Sequence, residues 1–175
     1  MSGVQQVVFQ NQRSFAAEPG QDAYTSAGSY TWVCPAGVPS VSVVTVGAGT
    51  LSGGALSYKN SISVSAGSSY AVVVPASNSS TRASFNGDSE VSAGNTISRT
   101  GDGGGNGATG GGTGGGGGAG GYSGNGGNGC SGTCSGSAGS GGGGGGGGGY
   151  FEDPYSFGGG GGGVGILGEG SSGAG

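Results

Sequence analysis

The residues best suited to chemistry sit close to the end of the chain. Tyr150-Phe151-Glu152-Asp153-Pro154-Tyr155-Ser156-Phe157 places four aromatics and two carboxylates in eight positions, with Pro154 imposing a bend. Paired carboxylates can serve as general acid and base, but they must flank a bond, and side chains adjacent in sequence diverge. The chain contains no histidine. Its three cysteines, Cys34, Cys130 and Cys134, lack the number and the Cys-x-x-Cys spacing of a structural zinc site. No Gly-x-x-x-x-Gly-Lys-Ser/Thr phosphate loop occurs, and a GxGxxG match inside polyglycine carries no information. These residue types therefore exclude the familiar hydrolytic, metal-assisted and nucleotide-dependent activities, and the expectation is a protein that is not an enzyme and uses no cofactor or metal. Aromatics and acids held on a stiff support make a contact surface instead. The same aromatics could equally cap and shield the edge of whatever carries them.

A second polar segment, Cys130–Ser140, offers Ser131 and Thr133 between two cysteines. In an extended conformation residues four apart lie about 12 Å from one another, too far for a disulfide. A bend at Ser131-Gly132-Thr133 would bring Cys130 and Cys134 within bonding distance, so the pairing stays open. Cys34, in an apolar alternating run, reads as a small buried side chain.

What must position these segments is unusual. Forty-two of the last 75 residues are glycine, and Gly141 to Gly149 is an unbroken run of nine. Leu, Ile, Val and Phe number 26 of 175, below the roughly 20% of ordinary packed domains. Disorder by charge repulsion is a poor description, because only 12 residues are charged. Residues 1–100 balance four acids against Arg13, Lys59, Arg82 and Arg99, whereas residues 101–175 carry Asp102, Glu152, Asp153 and Glu169 with no base. Nucleic-acid binding depends on Lys and Arg meeting phosphates, so no nucleic-acid partner is expected. No stretch approaches the roughly 18 apolar residues of a membrane span, and Met1-Ser-Gly-Val-Gln-Gln6 lacks the basic-then-apolar pattern of a signal peptide.

Three regions follow. Residues 1–28 are polar, with Phe9 and Phe15 as candidate attachment anchors; they read either as a frayed terminus or as an arm that orders on a partner. Residues 29–100 read as a small antiparallel β-module. Tyr30–Cys34 stops at Pro35, Val41–Val46 at Gly47, and Tyr70–Val74 at Pro75; Leu56–Lys59 and Ile62–Val64 are shorter pieces. One face would collect Trp32, Val41, Val43, Ile62, Val64, Tyr70, Val72 and Val74, enough for a mini-sandwich of about four to six strands. Pro75–Thr100 is rich in serine and asparagine and gives a weaker signal, with Thr81–Phe85 as an edge strand. No segment shows a helical period.

Residues 101–175 admit three readings. Collagen needs glycine at every third position and abundant proline, and the tract has Pro154 alone. A Gly/Ser linker is the default for such composition. The third reading is a bundle of polyglycine II helices: extended, threefold, about 3.1 Å per residue, with outward backbone groups satisfied by neighbouring helices. Glycine is then required because any interior Cβ would hold adjacent backbones apart. Runs such as 110–121, 141–149 and 158–163 suit helices of roughly 20–35 Å, and Val164-Gly-Ile-Leu167 suits a returning strand over one bundle face. The fold expected is thus all-β: a small antiparallel β-sandwich followed by a polyglycine II helix bundle, with no α-helix.

Several stretches together resemble the glycine-rich domain of tailed-bacteriophage tail-fibre proteins, including the tip adhesins of long tail fibres. They are Gly28-Ser-Tyr-Thr-Trp-Val-Cys-Pro-Ala-Gly-Val38, Val41–Gly47, Gly54-Ala-Leu-Ser-Tyr-Lys-Asn60, Gly117-Gly-Ala-Gly-Gly-Tyr-Ser-Gly-Asn-Gly-Gly-Asn-Gly129 and Gly160-Gly-Gly-Gly-Val-Gly-Ile-Leu-Gly168. The resemblance implies a virion protein whose distal loops, Cys130–Ser140 and Tyr150–Phe157, bind a host outer-membrane protein or surface glycan. The partners implied at the other end are further fibre, tail or capsid proteins. The competing reading is a minor capsid, decoration or fibre-connecting protein with no receptor role. Bundles of the same kind in snow-flea antifreeze proteins suggest ice binding, which needs a flat face that the acidic aromatic segment would interrupt. A likeness to mycobacterial glycine-rich surface repeats rests on Gly-Gly-x stretches alone.

Overall fold

The computed structural model describes residues 20–49, 52–95, 98–110, 114–152, 155–164 and 173, with 150–157 as backbone. Phe9, Phe15, Asp153, Pro154 and the 165–167 part of the expected returning strand lie outside the described residues. Among the described residues the chain is all-β, without a helix, and every strand pair is antiparallel. The strands are β1 (Gly28–Val33), β2 (Ser40–Val46), β3 (Leu56–Ser63), β4 (Ser69–Val74), β5 (Ala83–Phe85), β6 (Val91–Ala93), β7 (Arg99–Thr100), β8 (Gly149–Glu152) and β9 (Tyr155–Gly158). One sheet runs β1-β4-β5-β6-β7; β2-β3 and β8-β9 form two more.

The β-module is built as its alternation demands. β1 pairs with β4 so that Tyr30 faces Val72 and Trp32 faces Tyr70. The ladder is extended by Cys34 N–H to Ser68 C=O (2.9 Å) and Gly67 N–H to Cys34 C=O (2.8 Å). Gly67 turns the chain with φ +75°, a conformation that favours glycine. Between the sheets lies a core of Cys34, Ile62, Val64, Phe85 and Val91, flanked by Trp32, Val38, Val41, Val43, Tyr70 and Val72. Tyr70 stacks on Phe85 with centroids 5.5 Å apart, and Trp32 is tilted against both. Val74, expected on this face, is not part of that cluster.

Two expectations need correction. Leu56–Lys59 and Ile62–Val64 are not separate strands. β3 joins them in one strand, ending at Ser63 just before Val64, with a bulge: Val41 pairs with Ile62 but Val43 with Lys59, so β3 holds one more residue than β2 over that step. Ser61 absorbs it with φ +54°. Nor is Thr81–Phe85 an edge strand. β5 lies inside the five-stranded sheet between β4 and β6, and Ala83, Phe85, Val91 and Ala93 are all buried. The region reads weakly because its buried residues are mostly small or polar, which is what the close packing there requires. An ideal Cβ on Gly47 would overlap the Gly94 carbonyl. Buried Ser92 keeps its hydroxyl satisfied by donating to the Asp88 carbonyl (3.0 Å) and accepting from Arg82 Nη1 (3.1 Å).

The glycine-rich half is attached directly to this module. Leu56 N–H bonds Gly105 C=O (3.0 Å), Tyr58 N–H bonds Gly103 C=O (3.1 Å) and Gly53 N–H bonds Ala108 C=O (2.9 Å), so the first run, residues 103–110, lies along β3. Five further extended runs follow: 114–121, 124–130, 134–140, 143–149 and 158–164. Their backbone bonds repeat every third residue. In the second run, Gly115 and Gly118 donate to Cys130 and Gly127 of the third, and Gly116 and Ala119 to Gly159 and Gly162 of the sixth; Gly120 donates to Gly54. In the fifth, Gly144 and Gly147 donate to the second run, and Gly146 and Gly149 to the fourth. Each run thus addresses neighbours in more than one direction, unlike a flat sheet. Side chains are excluded by geometry. Ideal Cβ atoms on Gly115, Gly118, Gly129 and Gly144 would overlap the carbonyls of Gly147, Gly144, Gly115 and Gly162, each on a neighbouring run.

Candidate functional site

Because successive runs are antiparallel, their connections alternate between two ends. The turns at 121–124 and 140–143 close one end, tied by Ser123 N–H to Gly141 C=O (3.2 Å), and Tyr122 rests 6.0 Å from Tyr58 of β3 there. At the opposite end stand the Cys130–Cys134 turn and the 150–157 segment, adjacent in space. The expected Cys130–Ser140 loop is shorter than its sequence suggests, because residues 134–140 form the fourth run, held by Ser137 N–H to Asn128 C=O (2.8 Å), and carry Ser140 to the other end. Cys134 and Gly149 exchange both backbone bonds (3.1 and 3.0 Å), joining the cysteine loop to the first residue of β8. The hairpin continues with Tyr150 opposite Phe157, Phe151 opposite Ser156 and Glu152 opposite Tyr155. The sequence marks 150–157 as a bent segment; the backbone makes it a two-stranded projection.

The bend on which the cysteine pairing depends is present. Gly132 adopts φ +99°, the Cα atoms of Cys130 and Cys134 lie 5.8 Å apart, and the two are disulfide-bonded. Ser131 and Thr133 are exposed on the resulting loop. Cys130 is only 4% exposed, its carbonyl accepting from Gly115 and its N–H donating to Gly147. Gly114 completes the junction: an ideal Cβ on Gly158 would overlap its carbonyl, and one on Gly149 would lie 3.1 Å from its Cα. Glycine at the root of both strands of the hairpin thus lets it emerge directly from the packed runs.

Two features escape the sequence reading. Residues 20–25 lie along an apolar cleft of about 1020 Å³ lined by Trp32, Val41, Val43, Val72, Val74 and Phe85, beside the core. The Trp32 indole N–H donates to Asp22 Oδ2 (2.8 Å) and pins that segment. Asp22 stands apart from any periodic pattern, so nothing in the sequence pairs it with Trp32. The second feature is an ion pair, Lys59 Nζ to Glu90 Oε2 at 2.8 Å, with both side chains about a third exposed. The hydrogen bond to Glu90 raises the Lys59 pKa; desolvation opposes it, and the charges of Glu90 and Asp102 add to the rise. Among the described residues no group of three or more His, Cys, Asp or Glu side chains is placed to hold a metal ion, and no helix is long and apolar enough to cross a membrane. Comparison with protein-family models, with curated proteins and with solved structures finds no match to this chain.

Proposed function

We propose that the chain is a bacteriophage virion protein, a tail-fibre or tail-tip adhesin, in which a polyglycine II bundle presents the hairpin and the disulfide loop to a host surface receptor. The observation that carries this reading is the meeting of the two loops: segments separated in sequence by the fourth and fifth runs converge at one end of the glycine body and are bonded at Cys134–Gly149. The three-residue repeat of the inter-run bonds supports the polyglycine II assignment, since that conformation has three residues per turn and leaves its backbone groups to neighbours. The residues assigned to receptor contact are Tyr150, Phe151, Glu152, Asp153, Tyr155 and Phe157, with Ser131 and Thr133 beside them. The receptor is an outer-membrane protein or a surface glycan, both of which suit aromatic and acidic contacts.

The opposite requirement, attachment to other virion proteins, falls to the N-terminal arm with Phe9 and Phe15. In support, residues 20–25, which follow that arm in the chain, line the apolar cleft. The protein acts by binding and not by catalysis. Replacing 150–157 with a Gly/Ser sequence tests the adhesive role. Particles that assemble normally but no longer adsorb to cells are expected; full adsorption would leave the connecting or decoration role in its place.

A further inference from the structure

The disulfide joins two residues of contrasting situation. Cys130 is buried and bonded in two directions, to Gly115 of the second run and Gly147 of the fifth. Cys134 is exposed, and its backbone pairs with Gly149, where β8 begins. Between them Gly132 holds a positive φ that closes the loop. The sulfur–sulfur bond therefore connects a fixed point inside the packed runs to the root of the hairpin.

We infer that the Cys130–Cys134 disulfide is a redox-operated clamp that sets the order of the β8–β9 hairpin. In the oxidised chain the Cys134 backbone is held where Gly149 can pair with it on both sides. A dithiol reductant delivers two electrons and two protons, cleaves the S–S bond to two thiols and closes to its own disulfide; no other covalent bond changes. Cys130 stays anchored by Gly115 and Gly147. Cys134 loses its covalent tie to that anchor, and the loop regains the freedom that the cross-link removed. The Cys134–Gly149 pair then opens more often, and the hairpin opens with it as a local unit. Bonds among the second, third and fifth runs do not pass through Cys134, so they keep their strength.

This inference concerns the order of the hairpin and holds whatever the hairpin binds. Amide hydrogen exchange of the full chain checks it in three states: oxidised, reduced with dithiothreitol, and as the Cys130→Ser/Cys134→Ser variant. Backbone amides of 149–152 and 155–158 should exchange at least tenfold faster after reduction and in the variant. Amides of 115–119 and 144–147 should be unchanged, and reoxidation should restore the first pattern. Unchanged hairpin exchange, with both thiols shown to be free by alkylation, would overturn the clamp; so would equal loosening of every run. Adsorption of particles carrying the Gly/Ser replacement of 150–157, measured separately, tests the adhesive reading: full adsorption with the exchange difference intact removes that reading and leaves the clamp standing.

Discussion

The β-module and the glycine-rich half satisfy their backbones by opposite uses of the side chain. In the module, strands pair in sheets and the sheets are held together by what projects between them: Trp32, Tyr70 and Phe85 in mutual contact, over Ile62, Val64 and Val91. In the glycine half, almost nothing projects, and the runs approach until backbone meets backbone in several directions. Hydrophobic burial drives the first arrangement. The second relies on hydrogen bonds to offset the large conformational entropy that ordered glycine loses. The lesson is a reversal of mutational sense: removing a side chain should damage one half, and adding one should damage the other.

The largest effect is expected from removal. Leu56 is fully buried where β3 meets the first glycine run, and Leu56→Ala should destabilise by about 3 kcal/mol in denaturant unfolding. Addition comes next. Gly118→Ala would drive a Cβ into the Gly144 carbonyl and should cost about 2 kcal/mol. Gly163→Ala, with nothing within 4 Å of its Cβ, should stay within about 0.5 kcal/mol of the parent. Equal losses at Gly118 and Gly163 would break the comparison between the halves. Smaller again, Asp22→Ala deletes the acceptor of the Trp32 indole and should cost about 1 kcal/mol or less. Its clearer sign would be faster proteolysis of residues 20–25.

The smallest effect belongs to Lys59 and Glu90, which meet at the surface. The folded state raises the Lys59 pKa. The stability this contributes is therefore complete below the pKa of an unfolded lysine and is lost as pH rises through the higher folded value. A slight fall in melting temperature is expected on the alkaline side of that range, absent from Lys59→Met and diminished by salt.

The parts of this architecture legible in the sequence are those written as contrast. Runs rich in valine, threonine and aromatics, bounded by Pro35, Gly47 and Pro75, mark β1, β2 and β4. The glycine tract contains the positions where packing forbids a Cβ, such as Gly115, Gly118 and Gly144, and the aromatic-acidic segment stands out against it. Less legible are β5 and β6, whose buried Ala83, Ser84, Ser92 and Ala93 look like loop residues until the close approach of Gly47 and Gly94 explains them. The β3 bulge hides for a related reason, since Asn60-Ser61 resembles a break and Ser61 takes a positive φ usually left to glycine. The meeting of the cysteine loop with the hairpin root cannot be read at all, because it depends on how many antiparallel runs separate them and not on either motif.

Amide exchange along residues 114–149 bears most directly on whether side-chain-free runs form a stiff support. Slow exchange is predicted at Gly115, Gly116, Gly118, Ala119, Gly144 and Gly147, each of which donates to a neighbouring run. Exchange of these amides at the rate of an unstructured peptide, while the β-module remains protected, would contradict it.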